Sequence, residues 1–375
     1  MSGTSADGVD AALVEIDTGK VRFRAAATQT FQEPLQNRLL SLNDTGSVSL
    51  TDLVRLDLEI AHVFADTATE LVQVAGGADA VIAIGSHGQT IFHQPAEPFP
   101  GTLQIGNASV IAQRTGVDTV ADFRSADMAC GGQGAPLTPA FNHAVFKAPH
   151  PRVILNLGGI ANVTFLAADT LNGDTLNGET RGFDTGPANT LLDAWTKKHL
   201  NQPYDRDGEW ARGGAFDDIL LNNMLSDPYF NRTPPKSTGP DYFNLAWLQS
   251  KINAAGQAYE PKDVQATLIE LTAVSAAQSI LQGFPEGVEI LLCGGGSHNA
   301  YLVERMSAHC HGCTVTTTEK ACGVNEKACG VNVDHCESIA FAWLAYRYMA
   351  GLPGNLPAVT GASKAVVLGA LHKAT

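Results

Sequence analysis

Gly3-Thr4-Ser5-Ala6-Asp7-Gly8-Val9-Asp10 places two glycines, two hydroxyls and two carboxylates within eight residues, directly ahead of two strand-like runs. The runs are Asp10 to Ile16 and Val21 to Ala27, and the turn Asp17-Thr18-Gly19-Lys20 joins them into a β-hairpin. The octapeptide has two readings. One is a plain turn between strands, built from residues that tolerate unusual backbone angles. The other is an anion cradle: glycines let backbone N–H groups approach a phosphate, hydroxyls donate further hydrogen bonds, and carboxylates hold magnesium (Mg2+) directly or through water.

The rest of the chain bears on that choice because the pattern recurs. Arg152 to Leu157 reads as a strand, Gly158-Gly159 as a tight turn and Asn162 to Ala167 as a returning strand. Between the hairpins, residues from Thr51 to Ala75 carry Leu53, Leu56, Ile60, Val63 and Phe64 at helical spacing, with Thr51 expected as N-cap and Gly76-Gly77 as the stop. Ala80 to Ile84 and Val117 to Ala121 are expected as buried strands. Their C-terminal ends would deliver His87, Gln89, Asp122 and Arg124, at the edge where open α/β sheets bind ligands. Cys130 to Pro136 suits a crossover. Ala266 to Gln282 predicts a long amphipathic helix, and Val288 to Cys293 a strand entering Gly294-Gly295-Gly296 and a helix to about His309. Glu337 to Met349 is the last helix. The expected fold class is α/β with two related domains: 1–132 plus 337–375, and 133–336.

With 375 residues, 44% of them hydrophobic, the chain has material for two cores. A net charge of −14 would repel phosphate backbones and anionic lipid, so neither nucleic acid nor a membrane surface is an expected partner. No window reads as a membrane span and Met1-Ser2-Gly3 does not read as a signal peptide, so a cytoplasmic protein with seven thiols is expected. Two tandem duplications, Asp169–Gly173 with Asp174–Gly178 and Glu319–Asn325 with Glu326–Asn332, are expected in surface loops. Cys310-His311-Gly312-Cys313 suggests zinc, but Cys322 and Cys329 are copies of one duplicated residue and inflate the signal, so no structural zinc is expected.

Neither GxxxxGK[ST] nor GxGxxG occurs, which disfavours a Walker kinase and a Rossmann dehydrogenase. Three glycine corners stand in their place: Gly3 to Asp10, Asn156 to Asn162, and Gly294 to Gly296. They are accompanied by Asp184 within Gly182-Phe183-Asp184-Thr185-Gly186-Pro187-Ala188-Asn189. Asp184 reads either as a functional carboxylate at a loop-to-helix junction or as an N-cap ahead of Pro187.

This constellation resembles the ATPase superfamily of hexokinase, actin and Hsp70. More closely, GTSADGVD, SHGQT, LQIGN, ADFR, NLGGIANVT, GFDTGPAN and CGGGSHN occur in an order that resembles the anhydro-N-acetylmuramic acid kinase family over nearly the whole chain. The resemblance implies a two-domain actin-like ATPase (ribonuclease H-like) fold with an interdomain active-site cleft, in which ATP and Mg2+ phosphorylate a small amino sugar while water opens its anhydro bridge. It implies that Asp184 is the catalytic base. ATP would be bound by Gly3, Thr4, Ser5, Ala6, Asp7, Gly8, Val9, Asp10, Gly158, Gly159, Gly294, Gly295 and Gly296, with Asp7 or Asp10 holding the metal. His87, Gln89, Asp122 and Arg124 would meet sugar hydroxyls and the lactyl carboxylate, Arg being the natural carboxylate partner. Glu337 is either a further substrate contact or a helix-dipole carboxylate. A homodimer is compatible with the family.

Two rivals share the fold: a plain sugar kinase without bridge cleavage, and a non-catalytic sugar sensor. Family members also carry an apolar strand ahead of the first glycine turn, whereas Met1-Ser2 abuts Gly3 here; the expectation is that Met1 is an internal methionine of a longer chain.

Overall fold

A computed structural model describes residues 1–3, 6–17, 20–45, 47–95, 98–168, 180–234, 236–285, 287–321 and 331–375. The first duplication and most of the second fall outside them. Strands run in chain order as β1 (Gly8–Asp17), β2 (Lys20–Thr30), β3 (Ile84–Gly85), β4 (Gln89–Gln94), β5 (Gly101–Ile105), β6 (Thr119–Ala121), β7 (Arg152–Leu157), β8 (Ile160–Leu166), β9 (Arg181–Pro187), β10 (Glu289–Cys293), β11 (Thr314–Thr317) and β12 (Ala370–His372). The chain divides into two compact units. Unit 1 takes described residues of Met1–Val145 and Asn325–Thr375; unit 2 takes those of Phe146–Gly173 and Glu179–Val324. The helix Thr138–Phe146 thus falls almost wholly to unit 1, where Phe141 meets Trp343 edge to face at 6.1 Å.

Unit 2 carries one five-stranded sheet in the order β11-β10-β7-β8-β9. β8 is antiparallel to β7 and β9, while β10 and β11 run parallel to β7, which is the ribonuclease H-like arrangement. The hairpin of β7 and β8 through Gly158-Gly159 is the one the sequence predicts. Val153, Leu155 and Leu157 are fully buried and pack in one core with Leu268, Leu271 and Ile280 of the helix Pro261–Gly283. Burial of each such side chain contributes about 1.5–3 kcal/mol.

That helix departs from the amphipathic expectation, being buried on nearly every face. It is also long and apolar enough by composition to cross a membrane, contrary to the reading that no window is. However, 78% of its apolar window is buried inside the protein. Its polar residues have partners inside the protein: Gln265 donates to Thr196, and Glu270 accepts from Arg305 and pairs with His309.

In unit 1, β1 and β2 form the expected hairpin, and β3, β6 and β12 form a second sheet in the order β12-β6-β3. The helix Leu50–Ala75 packs Leu56, Ile60, Ala61 and Phe64 into a core with Val9, Phe31 and Ile105. Its cap is Ser49 rather than Thr51: Ser49 Oγ accepts from the Asp52 N–H at 3.1 Å and donates to its carboxylate at 2.7 Å. Gly76, in the left-handed region at φ 102°, ends it as expected. The run Ala80–Ile84 is mostly not a strand, because Ala78–Ala80 forms a 3₁₀ turn and pairing begins only at Ile84.

Candidate active site

In unit 1, β3 and β6 run parallel, so Ser86-His87 and Asp122-Phe123-Arg124 leave the sheet at the same edge. His87 is 5% exposed and its ring lies 4.5 Å from that of Phe341. Its Nδ1 lies 2.9 Å from the Gly88 carbonyl, and Nε2 accepts from Arg124 Nη2 at 2.8 Å and Nε at 3.2 Å. Donation from Arg124 fixes the neutral tautomer with the proton on Nδ1. Burial, reinforced by the Arg124 charge, holds this imidazole well below the usual histidine range. Burial lowers Arg124 to about 10, with the charges of Glu337 and Asp127 opposing, so the guanidinium stays cationic at neutral pH. Its Nη1 donates to the Gly134 carbonyl at 2.6 Å. Asp122, exposed and in the left-handed region at φ 55°, accepts from Ser125 at 2.5 Å.

Gln89, expected to meet the sugar, is buried. Its Oε1 accepts from Ser2 at 2.5 Å and its Nε2 donates to the Gly3 carbonyl at 3.1 Å, so the side chain braces the first glycine turn. In that turn Ala6 is fully buried at φ 48° and donates to the Gly3 carbonyl at 3.2 Å. A Cβ on Gly8 would lie 2.5 Å from the Gln29 carbonyl oxygen, so glycine is what lets β1 start this close to β2. Thr4 and Ser5 lie outside the described residues. Asp7 is exposed; Asp10 is half-buried and accepts from Thr28 at 2.7 Å. Glu337 is the second residue of the helix Cys336–Met349.

In unit 2, β7, β10 and β11 end on one edge, where the two glycine corners meet. A Cβ on Gly294 would strike Asn156 and the Leu157 backbone, and one on Gly296 would strike Leu157, so both corners pack backbone to backbone. Gly294 leads into a 3₁₀ turn, Gly295–His298, before the helix Ala300–His309, which differs from the direct strand-to-helix corner expected. The Ser297 hydroxyl is buried there without a partner. The Gly158 carbonyl accepts from the Asn189 N–H, and the Gly159 carbonyl from those of Ala188 and Thr190, at 3.0–3.1 Å. These donors open the helix Asn189–Leu200.

Asp184 lies inside β9, not at a loop-to-helix junction, and Ala188 occupies the N-cap position of the next helix, so the capping reading fails. Three hydrogen bonds fix it. Its N–H donates to the Lys236 carbonyl at 3.2 Å, its carbonyl accepts from Tyr229 OH at 2.7 Å, and Oδ2 accepts from the Thr238 N–H at 3.0 Å. The Thr238 hydroxyl is buried without a partner. Lys236 Nζ sits 4.9 Å from the Tyr229 ring and 5.6 Å from that of Phe183. Burial and Arg232 lower its pKa while the Asp184 charge raises it. Burial, then the Asp184 charge, pushes the Tyr229 hydroxyl up, so it stays a donor.

Tyr229, Lys236 and Thr238 were not legible in the sequence as partners of Asp184, since 45 to 54 residues separate them from it. Asp127 was missed as well. It is fully buried, and its carboxylate accepts from Gly134 N–H, Asn355 Nδ2 and Thr360 OH at 2.6–2.8 Å. Among the described residues, no group of three or more His, Cys, Asp or Glu side chains is placed to hold a metal ion.

A ribonuclease H-like sheet with glycine corners at its carboxyl edge, beside a strand-held aspartate, defines a phosphotransferase of the actin-like ATPase type. The profile described as anhydro-N-acetylmuramic acid kinase matches residues 1–374. The anhydro-N-acetylmuramic acid kinase of Vibrio vulnificus (strain YJ016) is 45% identical over 376 aligned residues, covering 99% of this chain and 96% of that protein. The chain belongs to the anhydro-N-acetylmuramic acid kinase family, and it is a kinase that uses ATP on a small amino sugar.

Among solved structures, the activator of the 2-hydroxyisocaproyl-CoA dehydratase from Clostridium difficile, with bound ADPNP, matches at 12% identity over 88% of this chain and 91% of that one, with a TM-score of 0.40. A ROK family glucokinase from Streptomyces griseus, with glucose and AMPPNP, matches at 11% over 91% and 99%, with a TM-score of 0.34. Likeness at that level places no residue and identifies no ligand.

Proposed function

We propose that Asp184 is the base of a coupled bridge-opening and phosphoryl transfer on 1,6-anhydro-N-acetylmuramic acid. Its carboxylate takes a proton from water as the water oxygen bonds to the anomeric carbon. The bond from that carbon to the bridging oxygen breaks, the freed O6 attacks the γ-phosphorus of ATP, and ADP leaves with the electrons of the broken P–O bond. The products are N-acetylmuramic acid 6-phosphate and ADP. A carboxylate suits the task because it also stabilises the positive charge that builds at the anomeric carbon.

The observation that carries this reading is the clamping of Asp184 within β9 by Tyr229, Lys236 and the Thr238 N–H, which orients one carboxylate on that strand. The buried, unpartnered hydroxyls of Thr238 and Ser297 supply donors toward a ligand. Arg124, kept cationic and aimed by His87 and Gly134, suits the lactyl carboxylate, with Asp122 and Glu337 among the polar groups near it. The glycine corners take the nucleotide. Asp7 and Asp10 are oxygen donors of the type Mg2+ accepts, and with only one or two protein carboxylates the ion keeps water and phosphate as its other ligands. Mg2+ there would neutralise charge on the transferred phosphate. Because the reaction consumes ATP, we place it in the cytoplasm.

The test is product mass. Incubation with Mg-ATP and the anhydro sugar should yield a product heavier by phosphate plus water. Asp184→Asn should lower turnover about 10²- to 10⁴-fold. A product carrying phosphate without water, or undiminished turnover in Asp184→Asn, refutes the assignment.

A further inference from the structure

The motif Cys310-His311-Gly312-Cys313 has no part in the preceding chemistry. A structural zinc takes four ligands. Here the adjacent His309 is committed to Glu270 at 2.5 Å, and among the described residues no third His, Cys, Asp or Glu joins the two thiols to hold a metal. What the fold does supply is a pair of sulfurs held together.

Cys310 closes the helix Ala300–His309, its N–H donating to the Met306 carbonyl at 3.0 Å. The Cys313 N–H then donates to the Cys310 carbonyl at 3.0 Å, which makes a four-residue turn with a cysteine at each end. Gly312, at φ 79°, supplies the left-handed residue that the third position of a type II turn requires. The first and fourth Cα atoms of a β-turn lie within about 7 Å of each other, and a disulfide spans about 4.4–6.8 Å. The side chains meet as well, the Cys310 thiol being hydrogen-bonded to Cys313. Cys310 is buried in the unit 2 core, and half-buried Cys313 packs against it. The far side of the turn is anchored too. The Thr314 N–H donates to the Val288 carbonyl at 3.0 Å, and a Cβ on Gly287 would lie 2.3 Å from the Gly312 carbonyl oxygen.

We infer that Cys310 and Cys313 are a dithiol that exchange with a low-molecular-weight disulfide, such as oxidised glutathione, converts into an intramolecular disulfide clipping the helix Ala300–His309 to β11. Cys313 reacts first because it is the more exposed of the two. Its thiolate bonds to one glutathione sulfur, the S–S bond breaks, and the first glutathione leaves as a thiolate that recovers the proton Cys313 gave up. The Cys310 sulfur then bonds to the Cys313 sulfur and passes its proton to the second glutathione as that leaves. Two protein thiols are oxidised, and one glutathione disulfide is reduced to two glutathione thiols.

Position sets how long the clip persists. A dithiol at a helix N-terminus is a strong oxidant once closed, because its thiolate is stabilised there. This pair sits at a helix C-terminus with Cys310 buried, so its thiolate has no such support and the disulfide is correspondingly hard to reduce. It also lies at the end of that helix away from Gly294, about 15 Å along the axis, so closing it leaves the glycine corner alone.

The experiment equilibrates the full chain with glutathione buffers of graded reduced-to-oxidised ratio, folded and in urea, then quenches and reads the tryptic peptide Met306–Lys320. That peptide holds both thiols and no other cysteine. It should lose two hydrogens and regain them on treatment with a dithiol reductant. The equilibrium constant for closing the disulfide should be about tenfold or more larger in the folded protein than in urea, because the fold has already closed the loop. Cys310→Ser should stop at a glutathione adduct on Cys313, and Cys313→Ser should leave Cys310 unmodified, with far-UV circular dichroism as the check of folding. An equilibrium constant no larger in the folded protein overturns the inference. So does a glutathione adduct that persists on Cys313 of the unsubstituted chain, or a disulfide joining this peptide to another cysteine.

Discussion

Replacing Asp127 by alanine tests whether one buried carboxylate organises the end of unit 1. The carboxylate satisfies three donors: Gly134 N–H at 2.8 Å, Asn355 Nδ2 at 2.6 Å and Thr360 OH at 2.7 Å. Each buried donor left without a partner costs about 1–3 kcal/mol. Two of the three have a fallback, because Asn355 Nδ2 also lies 3.3 Å from the Lys364 carbonyl and Thr360 OH 3.4 Å from that of Leu356. Among the described residues the Gly134 N–H relies on this carboxylate alone, and alanine also removes the cost of burying the charge itself. The net expectation is about 3 kcal/mol, which for a unit of this size lowers the melting temperature by about 6–12 °C. Asp127→Asn keeps one acceptor oxygen and sets its amide against the Gly134 N–H, so about half that loss is expected. Differential scanning calorimetry of the three proteins decides the matter. A shift of less than about 2 °C in the alanine variant would refute the reasoning, as would an asparagine variant less stable than the alanine one. Turnover gives a second readout, because Gly134 also receives Arg124.

Three further outcomes are expected. Thr238→Val removes a buried hydroxyl that has no partner, so thermal stability should hold or rise while turnover drops about tenfold, the value of one hydrogen bond to the reacting system; unchanged kinetics would show that the hydroxyl meets no ligand. Burial holds the His87 imidazole well below its usual range, so the unfolded chain binds more protons than the folded one as pH falls. Stability should therefore decline below about pH 6.5, and a melting temperature flat from pH 7 to 5 would contradict this. Burial pushes the Cys310 thiol up to about 12, so it should resist maleimide at pH 7.5 in the folded protein and react after denaturation, which mass spectrometry of the labelled peptides would show.

The sequence was most informative where local chemistry settles local structure. The hairpin of β1 and β2, the Gly158-Gly159 turn and the stop at Gly76 all follow from turn residues beside alternating or periodic apolar runs. It misled where tertiary context decides. The helix Pro261–Gly283 looks two-faced by composition, yet Gln265 and Glu270 are paired with Thr196, Arg305 and His309 and it is buried on nearly every face. Asp184 stood in a context that suits a helix cap, but cross-strand pairing with Asn162 extends β9 through it. For Gln89 the sequence offered only the place where its strand begins, and the folded chain adds that Ser2 and Gly3 hold its amide. Most partners of Asp184 and Asp127 were invisible for the same reason, since Tyr229, Thr238, Asn355 and Thr360 lie 45 to 233 residues away, beyond any local pattern.

The glycine turn after β7 discriminates by charge as well as by shape. With its two carbonyl oxygens accepting from three amides at the start of the helix Asn189–Leu200, it keeps only one of the four lone pairs by which a loop ordinarily coordinates a cation. Those amides are likewise spent, so the helix start is not a second phosphate cradle. The Gly158 and Gly159 N–H groups take no part in these bonds, so the same turn can buttress the helix through its carbonyls and still turn amide donors toward an anion.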